Sequence, residues 1–396
     1  MITTAFINLW NKRVGAIAWD IDRRLGLFEF TPKFLSNKWD IAPLKMSIEG
    51  ATGRVFSFTE LRDTQTFKGL PGLLADVLPD KYGNTLINAW LARNGRPENS
   101  LNPVELLCFI GKRGMGALEF EPVEPKVSNG ATKIEIDSLI YIAQEILSGR
   151  QDFNTNLSPN EEKALIDILK IGSSTGGARA KAVIAYNPIT KEVRSGQTDA
   201  PRGFSHWILK FDGVTDQQLG TSYGYGRVEM AYHLMAKDAG IIMTECQLLE
   251  ENGRAHFMTR RFDRAYGIGK LHVQSFCAIA HYDFSNIIGY SYEQLFETMR
   301  SLLLPYTDAE QLYRRMVFNV IAKNCDDHTK NFALIMDKTG QWKLAPAFDI
   351  CHSYRPGSEW VSQHSLSING KHKDITRQDL LFVAKKMNIK RINNRL

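Results

Sequence analysis

Asp326 and Asn331 stand five residues apart in the stretch NCDDHTKNFALIMDKTGQWKLAPAFDI (residues 324–350), and Asp349 is set in the apolar run LAPAFDI near its end. A polar group buried without a partner costs about 2–7 kcal/mol depending on the reference state, so a carboxylate in such a run implies a partner or a ligand. Hard oxygen donors of this kind suit Mg²⁺, which takes one or two carboxylates and completes its octahedron with water and substrate phosphates. The order D-x4-N followed by a later Asp is also that of phosphotransferase catalytic loops. There the first Asp accepts the proton of the substrate hydroxyl, while the Asn and the second Asp hold metal. Asp326 then reads as the base, with Asn331 and Asp349 as metal ligands. D-x4-N alone is a weak signal, and loop capping by Asp326 and Asn331 is the competing reading. His328 is a candidate nucleotide contact set against an ordinary structural histidine, and a zinc site from Asp326, His328 and His352 has no recognised spacing.

A second element is SSTGGARAK, residues 173–181. Consecutive glycines permit positive φ and close backbone approach, so the N–H groups of Gly176, Gly177 and Ala178 can cradle phosphate while Arg179 and Lys181 add charge. The segment has no G-x4-G-K-[ST], and a Gly-Gly pair is also what an ordinary tight turn uses. Lys210 sits in the strand-like HWILKFD, where an unpaired ammonium is costly. Kinase chemistry places a lysine in such a strand, on the nucleotide phosphates; the alternative is a lysine snorkelling from an edge strand. Glycine-rich turn, strand lysine, connecting strand, D-x4-N and final Asp follow one another in the order a bilobal kinase requires.

These residues need elements to hold them. In DAEQLYRRMVFNVIAKN, the residues Leu312, Met316, Val317, Val320 and Ile321 share one helical face, so that helix is anchored and presents the loop 324–331. FALIM and WKLAPAFD flank the turn DKTGQ and predict a hairpin; with its fold-back near residue 340, Asn331 lies opposite Asp349, with Asp326 close by. Upstream, VGAIAWDIDRRLGLFEF (14–30) predicts a β-hairpin, followed by helices and then an aperiodic linker, PVEPKVSNGATK (122–133). SPNEEKALIDILKIG carries Ser158, Pro159 and Glu161 as a helix-starting capping box and stops at Gly172. HWILKFD (206–212) and AHFMTRRFDR (255–264) read as strands with the helix RVEMAYHLMAKDAG between them, and Thr376 with Asp379 caps a last helix.

The 396 residues, 43% hydrophobic and 23% charged, describe a globular chain of two or three domains. No apolar run approaches the ~20 residues of a membrane span and the start lacks the layout of a secretory signal, so the expectation is a cytoplasmic protein without membrane contact. Five scattered cysteines without a CxxC pair argue against a disulfide framework or a zinc knuckle. A net charge of +6 permits nucleic-acid contact without demanding it. The basic segment from Lys371 onward fits a solvated helix face and tail.

Several blocks together resemble the HipA-type toxin kinases, serine/threonine kinases of bacterial toxin–antitoxin modules. They are Ser174 to Lys181, WILK with Lys210, RRFDR (260–264), DDHTKNF (326–332) and LAPAFD ending at Asp349, joined by GLLADVLPDKYGN and NPVELLCFIGKRGMGALEFEP in the N-terminal part. The resemblance spans nearly the whole chain. It implies an α+β, bilobal protein-kinase-like fold with a mixed α/β N-terminal lobe and a mainly helical C-terminal lobe. The parts would be an N-terminal subdomain (1–125), a nucleotide-binding part (134–265) and a helical lobe with the catalytic loop (266–396). It further implies ATP and Mg²⁺ as cofactors, residues 176–181 as the phosphate loop, Lys210 as the nucleotide lysine, and Arg260, Arg261 and Phe262 as the hinge beside adenine. Autophosphorylation is implied at Ser174 or its neighbour Ser173, where about −1.5 to −2 added charges disfavour a nearby triphosphate. The substrate would be a protein such as an aminoacyl-tRNA synthetase, and the partner a small helix-turn-helix antitoxin that carries the complex to operator DNA. Ala180 departs from a proline common in the loop, and Arg260 from an acidic residue that can occur at the hinge. The rival readings are a small-molecule kinase of the same architecture and a catalytically silent corepressor-type binding protein; the intact set Lys210, Asp326, Asn331 and Asp349 speaks against the latter.

Overall fold

Alternation of apolar and polar residues in TAFINL buries Ala5, Ile7 and Leu9 on one face of the first strand, Thr4–Leu9. This strand pairs antiparallel with Lys12–Asp20, which pairs with Leu25–Phe30. The hairpin expected over 14–30 is therefore the centre of a five-stranded sheet, edged by Val55–Phe56 and Leu118–Pro122. Gly15 is required there, since a Cβ would lie 2.2 Å from the Glu29 carbonyl. The helices Lys81–Arg93 and Pro103–Ile110 are both started by side-chain caps, Asp80 on Gly83 N and an Asn102–Glu105 capping box. The computed structural model describes residues 2–122, 143, 179–196, 200–216, 220–221, 223–265 and 269–390. The helix expected over 158–172, the glycine-rich turn at 173–178 and most of the linker lie outside the described residues.

A second five-stranded antiparallel sheet runs in the order Cys246–Glu251, Arg254–Arg260, Ser205–Lys210, Lys181–Tyr186 and Val193–Ser195. The Lys210 strand is its middle member, which removes the edge-strand alternative for that lysine. The helix Tyr225–Asp238 packs on this sheet through Gly226, where a Cβ would sit 2.0 Å from the Ala255 carbonyl, so only glycine lets the helix come this close.

The remaining part is mainly helical. Helices Tyr292–Ser301, Tyr306–Ile321 and Arg377–Lys386 surround a core containing Phe276, Tyr292, Leu312, Met316, Leu380 and Val383. The Thr376–Asp379 capping box is formed. On the Tyr306–Ile321 helix, Leu312, Met316 and Val317 are buried as expected, but Ile321 is 69% exposed, because the helix ends there and turns outward into the loop. Among the described residues no helix is long and apolar enough to cross a membrane.

The hairpin expected after the loop 324–331 forms, but with a shifted register. Ala333–Met336 pairs with Trp342–Leu344 through Leu334 opposite Leu344 and Met336 opposite Trp342, so the fold-back is centred on residue 339. Extending that register places residue 347, not Asp349, across from Asn331, and the strand stops at Leu344. The cause is the turn. The Asp337 carbonyl accepts the Gly340 N–H at 3.0 Å and its side chain accepts the Thr339 N–H at 2.8 Å, a tight Asx-type turn closed by Gly340 at φ +82°.

A buried ion network ties the N-terminal part to the second sheet. Asp263, 0% exposed, accepts from Arg261 Nε (2.9 Å) and Nη2 (2.7 Å), from Arg264 Nη1 (2.6 Å) and from Gly116 N (2.7 Å). The two guanidiniums also reach the Gly114 carbonyl, at 3.1 and 3.0 Å. Burial pushes the Asp263 carboxyl up, but Arg261 and Arg264 together hold it well below the usual carboxylate range. Asp263→Ala leaves two buried guanidiniums without a carboxylate, and urea unfolding should show about 3–5 kcal/mol of lost stability. A loss within the scatter of a surface substitution would contradict this account of the junction.

Candidate active site

Lys210 closes its strand with an ammonium in the interior, and two carboxylates from other elements meet it. Nζ lies 2.5 Å from Glu229 Oε1 and also donates to Asp349 Oδ1. Glu229 is delivered by the helix Tyr225–Asp238, whose buried positions Gly226, Glu229, His233 and Ala236 repeat at helical spacing. Burial alone would depress the Lys210 pKa, yet Asp349 and Glu229 outweigh it and hold the ammonium above its ordinary range. Burial raises the Glu229 carboxyl despite Lys210, whereas at Asp349 the charges of Lys210 and Lys181 overcome burial and lower it. With both carboxylates ionised the trio carries one net negative charge, the sign that favours an arriving cation.

Asp349 holds its position at φ +52°, a left-handed conformation that costs a non-glycine residue energy and persists only where the surroundings impose it. Asn331 ends the short turn Thr329–Asn331, which the His328 side chain caps by accepting from Lys330 N at 3.3 Å. The Asn331 amide nitrogen donates to the Asp326 carbonyl at 2.7 Å, leaving its oxygen as the atom for a cation. Asn331 and Asp349 line one narrow cleft, together with Asn324, Asp327, Arg315 and Phe348. The two expected ligands thus converge through the strained turn at Asp349 rather than by cross-strand pairing. Two hard oxygen donors on one cleft fit Mg²⁺. The Asp326 side chain is 43% exposed and 3.6 Å from His328 Nε2, and unlike Asn331 and Asp349 it is not among the residues that line this cleft. Among the described residues no group of three His, Cys, Asp or Glu side chains is clustered as a metal site, so Asp326, His328 and His352 do not form a zinc centre.

Of the other expected contacts, Lys181 is 3% exposed and pairs with Asp80 at 3.2 Å, while Arg179 stacks over the Tyr225 ring at 3.9 Å. Gly176, Gly177, Ala178, Ser173 and Ser174 lie outside the described residues. At the expected hinge, the N–H groups of Arg260 and Arg261 are already given to the Glu245 and His206 carbonyls, at 2.8 and 2.9 Å. The Arg260 side chain pairs outward with Glu245 and that of Arg261 is committed to Asp263. Only Phe262 of this trio places its side chain by the cleft, its ring centroid 5.7 Å from that of Phe348.

Sequence reasoning missed the support behind the loop. Asp327, 1% exposed, accepts from Tyr292 OH (2.8 Å), His364 Nδ1 (2.9 Å) and Ser365 N (2.8 Å). Asn319 donates to the same tyrosine oxygen at 3.0 Å and accepts from Asn324 at 3.0 Å. Asn319 and Arg315, one helical turn apart, share the buried side of their helix with Leu312 and Met316; polar residues at core spacing were the available signal. Burial would lower the His364 pKa, but its bond to Asp327 raises it from 6.5 to about 10. The stabilisation from this pair is complete below the unfolded imidazole's value of about 6.5 and is lost as pH climbs through about 10. Urea midpoints should therefore fall across that window, and His364→Asn should flatten the fall. An identical pH slope in the variant would contradict the assignment.

With the geometry in place, comparison with known proteins is informative. Residues 5–121 match the HipA N-terminal domain and residues 173–395 match the HipA-like C-terminal domain. The Sinorhizobium fredii (strain NBRC 101917 / NGR234) protein Y4mE, provisionally described as a kinase, is 28% identical over 152 residues, 36% of this chain and 33% of that protein, so the match spans only a third of the relative's length. The HipA chain in the Shewanella oneidensis MR-1 complex of HipA, HipB and operator DNA superposes with a TM-score of 0.70 at 16% identity, covering 98% of this chain and 85% of that one. The fold is the α+β, HipA-like kinase fold. Two domain matches together take in most of its length, and the chain belongs to the HipA family.

Proposed function

We propose that this chain is an ATP- and Mg²⁺-dependent kinase that phosphorylates a serine or threonine hydroxyl of a protein, as the toxin of a toxin–antitoxin module. The observation that carries the reading is the meeting of Lys210, Glu229 and Asp349 beside Asn331. A strand lysine held by a helix glutamate is the arrangement that orients nucleotide phosphates in kinases, and an Asn with a later Asp is their metal-holding pair.

Each residue then has a task. Lys210, kept charged by its two carboxylates, holds phosphate oxygens. Asn331 and Asp349 would hold Mg²⁺, which when bound neutralises charge on the β- and γ-phosphates. The Asp326 carboxylate, exposed to an incoming substrate, receives the proton of the hydroxyl as its oxygen bonds to the γ-phosphorus and the bond to the β-phosphate oxygen breaks. The Asn331 bond to the Asp326 carbonyl keeps base and metal ligand in fixed relation. Tyr292, His364 and Ser365 immobilise the loop through Asp327, so the base does not depend on its own exposed contacts for its position. The proposed partners are a small helix-turn-helix antitoxin and operator DNA; the Shewanella structure, in which HipA is found with HipB and operator DNA, supports an antitoxin and DNA partnership. Ser174 or Ser173 is the proposed autophosphorylation site, and a translation factor such as an aminoacyl-tRNA synthetase the proposed substrate.

Transfer from labelled ATP tests this. Asp326→Asn should lower turnover by about 10²–10⁴-fold, the usual contribution of a general base, with nucleotide binding kept and circular dichroism unchanged. Asp349→Asn should abolish Mg²⁺-dependent turnover. Wild-type turnover in either variant would overturn the residue roles, and label appearing only on a small molecule would favour a small-molecule kinase.

A further inference from the structure

Lys181 and Lys210 are direct partners on neighbouring antiparallel strands, so their side chains leave the sheet on one face. Like charges in that relation repel unless each has a counter-ion. Lys210 has Glu229 and Asp349. Lys181 has Asp80, which comes from the N-terminal part of the chain; Nζ is 3.2 Å from Oδ2, and the side chains are 3% and 8% exposed. Asp80 is held by a second duty, capping the helix Lys81–Arg93 by accepting from Gly83 N at 2.7 Å. Its carboxylate also feels Lys330 of the catalytic loop, and the charge of Lys181 bears on Asp349. Asp80 therefore stands among cations from the second sheet and from the loop 326–331, on a segment that supplies none of the expected catalytic groups.

We propose that Asp80 is an internal competitor of the nucleotide's phosphates, a carboxylate that the N-terminal subdomain inserts against Lys181 and that lowers the affinity of the site for nucleotide. The proposal rests on the kinase reading above. Whatever phosphate takes up Lys181 must share it with, or take it from, an Asp80 carboxyl that burial already pushes up, and the cost of leaving that group unpaired or protonating it is subtracted from binding. By linkage, a partner that displaces the Asp80 helix start raises nucleotide affinity, and bound nucleotide loosens that contact by the same factor.

The test is calorimetric titration of Mg²⁺ with a non-hydrolysable ATP analogue into the full chain, as wild type, Asp80→Asn, Lys181→Met and the double variant. Asparagine keeps the capping oxygen and the side-chain shape, and circular dichroism checks that the fold survives the loss of the counter-ion of Lys181. Asp80→Asn should bind at least about fivefold more tightly, the low end of ordinary coupling between sites, and the gain should vanish in the Lys181→Met background. Structural damage would weaken binding instead. Unchanged or weaker binding in Asp80→Asn, or an equal gain without Lys181, overturns the proposal while leaving the kinase reading in place. A wild type that binds no Mg²⁺-nucleotide overturns the kinase reading and the proposal with it. Asp80→Ser, which keeps a capping oxygen, repeats the measurement; loss of the fold in both variants would make the carboxylate purely structural and also overturn the proposal.

Discussion

An ammonium cannot remain in the middle of a sheet without negative partners, and the residues that answer Lys210 tie together three distant parts of the chain. Glu229 arrives on a helix that needs Gly226 to reach the sheet, and Asp349 arrives 139 residues after Lys210 in a backbone conformation unfavourable to aspartate. Neither expense is needed for packing alone; apolar residues would fill the same space at lower cost. Strain and buried charge concentrated in one cleft are the mark of a site kept for what it binds.

The consecutive aspartates of the loop 324–331 have opposite surroundings. The Asp326 side chain is 43% exposed, while Asp327 turns inward to three donors at 1% exposure. One residue stays accessible and the next anchors the loop. The anchor reaches helix Tyr306–Ile321 through Tyr292 and Asn319, which makes the loop's position a property of the helical core. Asp263 plays a comparable part on the other wall, where its bonds to Gly116, Arg261 and Arg264 fix the end of the Arg254–Arg260 strand against the N-terminal part.

Local chemistry was legible in the sequence, and so were the elements built from period and caps: the 14–30 hairpin, the Tyr306–Ile321 helix and the Thr376 cap. Partnerships between distant segments were not. Glu229 reads as one more polar residue on a surface helix until the Lys210 strand is laid beside it, and Asp80 reads only as a helix cap. The hairpin register failed by two residues because Asp337 tightened the turn, a side-chain effect that hydrophobic alternation does not report. Arg260 and Arg261 were assigned to the hinge by position in a motif and through their backbone; the partners of their side chains, Glu245 and Asp263, are ones that only the fold identifies.

The central claim is that the Lys210–Glu229–Asp349 group and Asn331 form one metal–nucleotide site. A crystal structure of the chain with Mg²⁺ and a non-hydrolysable ATP analogue addresses it most directly. The account predicts a metal at about 2.0–2.1 Å from oxygens of Asn331 and Asp349, with Lys210 in hydrogen-bond reach of the phosphates. A nucleotide bound elsewhere, or a metal held by neither residue, would contradict it.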